Sequence, residues 1–245
     1  MTKGLGTRIA LLLSVVLAAA ACGKGEEAKD EMGMSGANAT PASTMTDGGA
    51  EYTVILKNAW TPATHPFEYP PAAAIGGPHF SGVVGASHNA SFTLFKEGSM
   101  PTPGLERLSE EGKPTPLDEE IRAAVASGTA GALFTSGPLR DFKDSIVTTL
   151  RVDPTHPMVS LVAMIAPSPD WFAGVSDVNL LENGQWASSR TLQLYAWDSG
   201  GDEGTTYKAS DRDNNPKKPT MKAISRHFTK DGAAVPVATV VLIKK

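Results

Sequence analysis

Three aspartates in this chain sit where a hard cation would find ligands. Asp170 closes the run Pro167-Ser168-Pro169-Asp170, and Asp198 and Asp202 bracket Ser199-Gly200-Gly201. Calcium takes about six to eight oxygens at about 2.3–2.6 Å from carboxylates, carbonyls and water. Gly200, Gly201 and Gly204 let the second loop turn tightly and offer carbonyls, and Glu203 adds charge. Carboxylates held close together repel one another unless a cation lies between them. The same residues also support a plain turn, because aspartate readily hydrogen-bonds its own loop backbone.

Other groupings fail as reactive sites. Asp211-x-Asp213-x-Asn215 begins like an EF-hand loop, but Pro216 stands where the turn glycine belongs and Lys222 where the closing glutamate belongs. Gly85-Ala86-Ser87-His88-Asn89 lacks the final glycine of a nucleophile elbow. His65, His79 and His88 do not have zinc-ligand spacing; the first two read as loop residues that hydrogen-bond within the fold. Trp60, Trp171, Trp186 and Trp197 read as core or loop anchors.

The acidic loops need strands to aim them, and the chain reads as strands from Glu51 onward. Tyr52, Val54 and Leu56 alternate with Thr53, Ile55 and Lys57, and Ser145–Val152 puts Ile146, Thr148, Leu150 and Val152 on one side. Val159–Ile165 is almost continuously apolar, which predicts a strand covered on both faces. Thr191–Trp197 places Leu192, Leu194 and Ala196 on one face, and Val235–Ile243 closes the chain, with Pro236 marking an edge strand or a strand start. Connections rich in Gly, Pro, Asn and Asp complete the pattern of an all-β antiparallel sandwich. One helix is predicted after Thr115 as N-cap, with Pro116 at the first position, Asp118 as capping acid, Leu117, Ile121, Ala124 and Val125 as its apolar stripe, and Gly128 at its end. A shorter one covers Gly104–Glu111. Both read as structural.

The first residues read as an address. Lys3 and Arg8 precede an apolar stretch, Ile9–Ala21, that is too short to span a bilayer and fits the core of a signal peptide. It ends at Cys22, the only cysteine. Leu17-Ala-Ala-Ala-Ala-Cys22-Gly23 resembles a bacterial lipobox, with Ala19 where leucine is more usual. That resemblance implies residues 1–21 as a leader, lipid on Cys22, and anchoring in the outer rather than the inner membrane of a cell envelope, since Gly23 replaces the retention aspartate. Residues 22–50 contain no aromatic residue and read as a flexible tether. Met32, Met34 and Met45, without histidine partners, do not change that reading. With a net charge of −4 and no basic patch, nucleic acid is not an expected partner.

Several segments together resemble the spondin N-terminal domain: Trp60 with His65-Pro66; His79-Phe80-Ser81-Gly-Val-Val-Gly85 followed by Ser87-His88-Asn89; Gly104-Leu105-Glu106; Val159-Ser160; Pro167-Ser-Pro-Asp170-Trp171-Phe172-Ala-Gly174-Val175; and Trp186, then Trp197-Asp198-Ser-Gly-Gly-Asp202-Glu203-Gly204. The resemblance implies a C2-like β-sandwich over residues 51–245, with a calcium ion held in loops at one end by Asp170 and Asp198, to which Asp202 adds a further carboxylate as a candidate ligand. It further implies a third acidic position on the strand entering Val159-Ser160. Arg151 stands there, leaving two options: Asp153 substitutes, or the Arg151 guanidinium replaces the ion by pairing with Asp170 and Asp198. Animal relatives are matrix and adhesion proteins with disulfides; a chain with one cysteine must rely on its core. The expected function is a lipid-anchored binding or adhesion module for an unknown surface protein or matrix polymer. An envelope hydrolase, requiring a Ser–His pair in a pocket, and a structural lipoprotein without a metal are the alternatives.

Overall fold

The computed structural model describes residues 48–72, 74, 77–141 and 145–245. The leader, Cys22, the three tether methionines and the tether up to residue 47 lie outside the described residues. The elements in chain order are β1 (Ala50–Asn58), β2 (His79–Phe80), β3 (Val84–His88), α1 (Pro103–Glu111), α2 (Leu117–Ala126), β4 (Ala130–Thr135), β5 (Ser145–Val152), β6 (Met158–Ala166) and β7 (Trp171–Asn179). Then follow β8 (Leu181–Glu182), β9 (Gln185–Trp186), β10 (Ser189–Asp198), β11 (Met221–Lys222), β12 (Thr229–Lys230), β13 (Ala233–Ala234) and β14 (Ala238–Lys244).

The strands pair antiparallel in the order β4-β3-β6-β7-β10-β14-β1-β5, with β2 added to β6 and β11 to β10. The two ends of this path meet: β4 contacts β5, and the Thr148 hydroxyl donates to the Thr135 carbonyl at 2.9 Å. The sheet thus folds over itself around one interior, as the expected all-β sandwich does. Alternation decides what enters it. Tyr52, Val54 and Leu56 of β1 are fully buried and meet Leu161, Ile165, Trp171, Leu194 and Val240 inside.

β6 is buried along almost its whole length because both its faces are covered. Leu161, Ala163 and Ile165 join the sandwich interior. Val162 points the other way and packs with Phe172, Leu105, Leu108, Leu117 and Ile121, under the two helices. Helix α1 begins at Thr102, whose hydroxyl accepts from the Leu105 amide at 3.1 Å, and stops at Gly112 in the left-handed conformation. Helix α2 departs from the expected cap. Pro116 precedes its first residue with no side-chain cap, and the Thr115 hydroxyl donates instead to the Asp118 carboxylate at 2.8 Å.

β14 is an interior strand, between β10 and β1. Pro236 lies before its start, as it must, because a proline cannot donate to an interior ladder.

Candidate functional site

The antiparallel register sends the loops of interest to one end of the sandwich. Trp171, the first residue of β7, pairs with Asp198, the last of β10. Asp198 also pairs with Met221 of β11. Asp170 and Asp198 therefore sit on adjacent strands at the same edge. Helix α1, packed on β6 and β7, brings Glu106 and Glu110 over them. These two glutamates are four residues apart and flank the helix's buried stripe, Leu105, Leu108 and Ser109.

Asp170 is fully buried. One oxygen, Oδ2, accepts from the Ser199 hydroxyl at 2.9 Å, the Gly200 amide at 2.9 Å and the Asp202 amide at 3.2 Å. The other, Oδ1, has no hydrogen-bond partner, and the same is true of the buried Oε1 of Glu110. Burial, then the charge of Asp198, raises the Asp170 pKa to about 6. Burial, then the charge of Glu106, raises that of Glu110 to about 7, with Asp170 adding to the push. Asp198 is shifted up by burial too; its Oδ1 accepts from the Gly200 amide at 2.9 Å, and the side chains of Trp171 and Asp170 stand within hydrogen-bonding reach of it. A buried polar atom without a partner costs on the order of 1–3 kcal/mol, and two on neighbouring carboxylates mark an arrangement short of positive charge.

Glycine makes the close approach of these groups possible. A Cβ on Gly201 would lie 2.5 Å from Glu110 Oε1 and 2.9 Å from Glu106 Cγ, and one on Gly200, whose φ is +86°, would lie 2.1 Å from the Lys218 carbonyl. The cluster reaches the surface on two sides. Asp198 opens onto a cleft of about 400 Å³ with Trp171, Lys218, Met221, Ile224 and Ser225. Glu110 opens onto another of about 550 Å³ with His79, Ser81 and Arg140.

The other aspartates predicted from sequence are placed differently. Asp202 is buried, but its carboxylate is spent on its own loop: Oδ1 accepts from the Gly204 amide at 2.6 Å and Oδ2 from the Arg212 amide. What it contributes to Asp170 is its backbone N–H. Asp153 lies at the opposite end, just past the Ala50–Val152 pairing of β1 and β5; β10, with its ten residues, separates the two ends by roughly 30 Å. There its Oδ1 accepts from the Thr155 hydroxyl at 2.5 Å and from the amides of Thr155 and His156. Arg151 is at that far end too, with its Nε 3.2 Å from Glu51 Oε2, so it does not take the cation's place between Asp170 and Asp198. Glu110 is the nearby acid that the sequence reading passed over. The spacing Glu106-x-x-x-Glu110 beside an apolar stripe was the available signal.

Among the described residues, no three acidic, histidine or cysteine side chains surround a common point as a complete metal-ligand set. The fit to a divalent ion rests on the two buried, unpartnered oxygens and on the carboxylate-only chemistry of the donors, which suits calcium.

The tryptophans are anchors. Trp60 and Trp171 are buried, and the indole N–H groups of Trp60, Trp186 and Trp197 donate to the Tyr207 hydroxyl and to the carbonyls of Gly48 and Gly174. Two Ser–His pairs are within reach. His88 Nε2 lies 2.8 Å from Ser160 Oγ with both residues fully buried. Ser225 Oγ lies 3.2 Å from His227 Nδ1, and His227 Nε2 lies 3.1 Å from Glu68 Oε2; Ser225 lines the 400 Å³ cleft.

The folded-over antiparallel sheet with its acidic loops and covering helices is that of a β-sandwich module. The Spondin_N family model matches residues 50–235, and the chain belongs to that spondin N-terminal domain family. It is similar to human Spondin-2, 28% identical over 208 residues that make up 80% of this chain and 61% of that protein. It is also similar to Spondin-1 of rat and of cattle, each 31% identical over 180 residues, 71% of this chain and 21% of those proteins. The chain thus spans about three-fifths of one relative and a fifth of the others. No described helix is long and apolar enough to cross a membrane.

Proposed function

We propose that this chain is an extracytoplasmic binding or adhesion module, held to an envelope membrane through lipid on Cys22, and that one end of it binds calcium at the unpartnered oxygens of Asp170 and Glu110, with Asp198 adding negative charge. The single observation that carries the calcium site is the pair of buried, unpartnered oxygens, Asp170 Oδ1 and Glu110 Oε1, on carboxylates that repel one another. A bound divalent ion supplies the positive charge these groups lack. The residues themselves do the positioning: the amides of Gly200 and Asp202 and the Ser199 hydroxyl hold Asp170 in one orientation, and α1 brings Glu110 near enough to feel its charge. Family membership supports the binding role, for which the expected partner is a surface protein or matrix polymer. The leader and lipobox-like run support the anchor and an outer-membrane location.

Thermal unfolding with and without chelator tests the site. A ligand at a hundred times its dissociation constant stabilises by about 2.7 kcal/mol, so calcium should raise the melting temperature by several degrees. An unchanged midpoint refutes the calcium site. Incorporation of a labelled fatty acid that disappears in Cys22→Ala supports the anchor; label retained in that variant refutes it.

A second reading, a hydrolase, rests on the Ser225–His227–Glu68 chain at the mouth of a cleft. It requires a fluorophosphonate probe to label Ser225 in the wild type and not in His227→Gln. Absence of labelling removes it.

A further inference from the structure

The acidic cluster contains a cation of its own. Lys217 Nζ forms an ion pair with Glu106, stands 3.8 Å from Asp213 Oδ2 and exerts its charge on Glu110. The backbone around it is stitched to the Gly200–Asp202 loop. The Asn214 amide donates to the Gly201 carbonyl at 2.7 Å, the Asn214 side chain to the Asp202 carbonyl at 2.6 Å, and the Lys218 amide to the Gly200 carbonyl at 3.0 Å. Any movement of this ammonium relative to the carboxylates is therefore a rotation of the lysine side chain. That side chain is 32% exposed, so water is directly open to it.

We propose that Lys217 is a tethered competitor of the metal: its ammonium partly neutralises the α1 carboxylates when no ion is bound, and it swings into solvent when calcium loads. This deepens the calcium reading and depends on it. Three observations carry it. The lysine is a poor substitute for an ion, since it satisfies Glu106 while Glu110 Oε1 and the fully buried Asp170 Oδ1 stay unpartnered. A lysine ammonium is a strongly hydrated point charge on a flexible stem, so releasing it to water costs little. Its departure frees a Glu106 oxygen whose charge already acts on Glu110. The consequence is a site weaker than its carboxylates alone would make it, tuned to release as well as to bind.

The test compares calcium affinity of the purified wild-type protein, Lys217→Gln and Lys217→Arg by calorimetry. Removing a charge this close should tighten binding about tenfold in the glutamine variant, while the arginine variant should bind no more tightly than wild type. If wild type binds calcium and the glutamine variant binds equally or more weakly, the competitor idea is overturned and the calcium reading stands. If neither binds, both fall. Should the glutamine variant fold poorly, the wild type supplies a second readout. Acylation of the Lys217 amine, followed by mass spectrometry with and without calcium, should accelerate severalfold when the ion is present. An unchanged rate overturns the proposal.

Discussion

The two ends of the sandwich use the same residue types to opposite effect. At the far end, Glu51 is met by Arg151 and by Lys245, whose Nζ lies 2.6 Å from Glu51 Oε1, and Asp153 is surrounded by Thr155 and His156 donors. Burial of Asp153 works against its charge, but those hydrogen bonds hold its pKa below the ordinary value. At the near end Asp170 is buried and Asp198 and Glu110 are half-buried, and the pKa values of all three are raised. One end is a finished electrostatic lock; the other holds more carboxylates than Lys217 and Lys218 offset. A carboxylate's function is therefore set by what surrounds it, and the near end opens onto two clefts.

The largest effect that would break this contrast comes from Asp170. Replacing it with alanine strands three donors and should cost about 3 kcal/mol in urea unfolding, while abolishing calcium binding. Glu110→Gln should act in two directions. It should weaken calcium affinity at least about tenfold, yet raise metal-free stability at pH 8 by about 1 kcal/mol after discounting for solvent screening, because it removes a charge the fold disfavours.

The pH dependence sharpens the comparison further. The folded pKa values of Asp170 and Glu110 are raised to about 6 and about 7, above those of the unfolded chain. Their contribution to stability is fully present near pH 4 and is lost as pH rises through 6 to 7. Metal-free melting temperatures should fall over that interval, and saturating calcium should remove the fall. Asp153 has the opposite sign: its contribution is present above its unfolded value and is lost only as pH drops below about 4. Asp153→Ala should accordingly cost about 1 kcal/mol at neutral pH and leave calcium affinity unchanged. Arg151→Ala, the smallest change, should leave calcium binding unaffected and barely move the melting curve.

Much of the scaffold was legible from periodicity. The alternation in β1 and β5 and the unbroken apolar run of β6 each report directly which faces are covered. β7 was not legible, since its outer half mixes polar residues and its start carries the acidic loop. The helix at Leu117 was found, but its cap was misassigned, because Thr115 spends its hydroxyl on Asp118 rather than on the backbone. Of the site, Asp170 and Asp198 could be paired from sequence because Asp198 ends one recognisable strand and Asp170 lies in the short loop after another. Asp153 and Arg151 were drawn in wrongly. Strand direction decides which end a residue occupies, and the pairing of β5 with β1 sends both away. Glu110 was missed because the Glu106-x-x-x-Glu110 spacing puts two acids beside the apolar stripe of α1 but says nothing of the helix lying across the Asp170 loop.

The central claim is that the near end is built around an absent positive charge that calcium supplies. It is tested most directly by calorimetric titration of calcium into the metal-stripped protein, alongside Asp170→Asn and Asp198→Asn. The account predicts a single saturable binding event in the micromolar to millimolar range, lost in both variants. Titration without heat and without any change in melting temperature would contradict it, and would leave the cluster served by Lys217 alone.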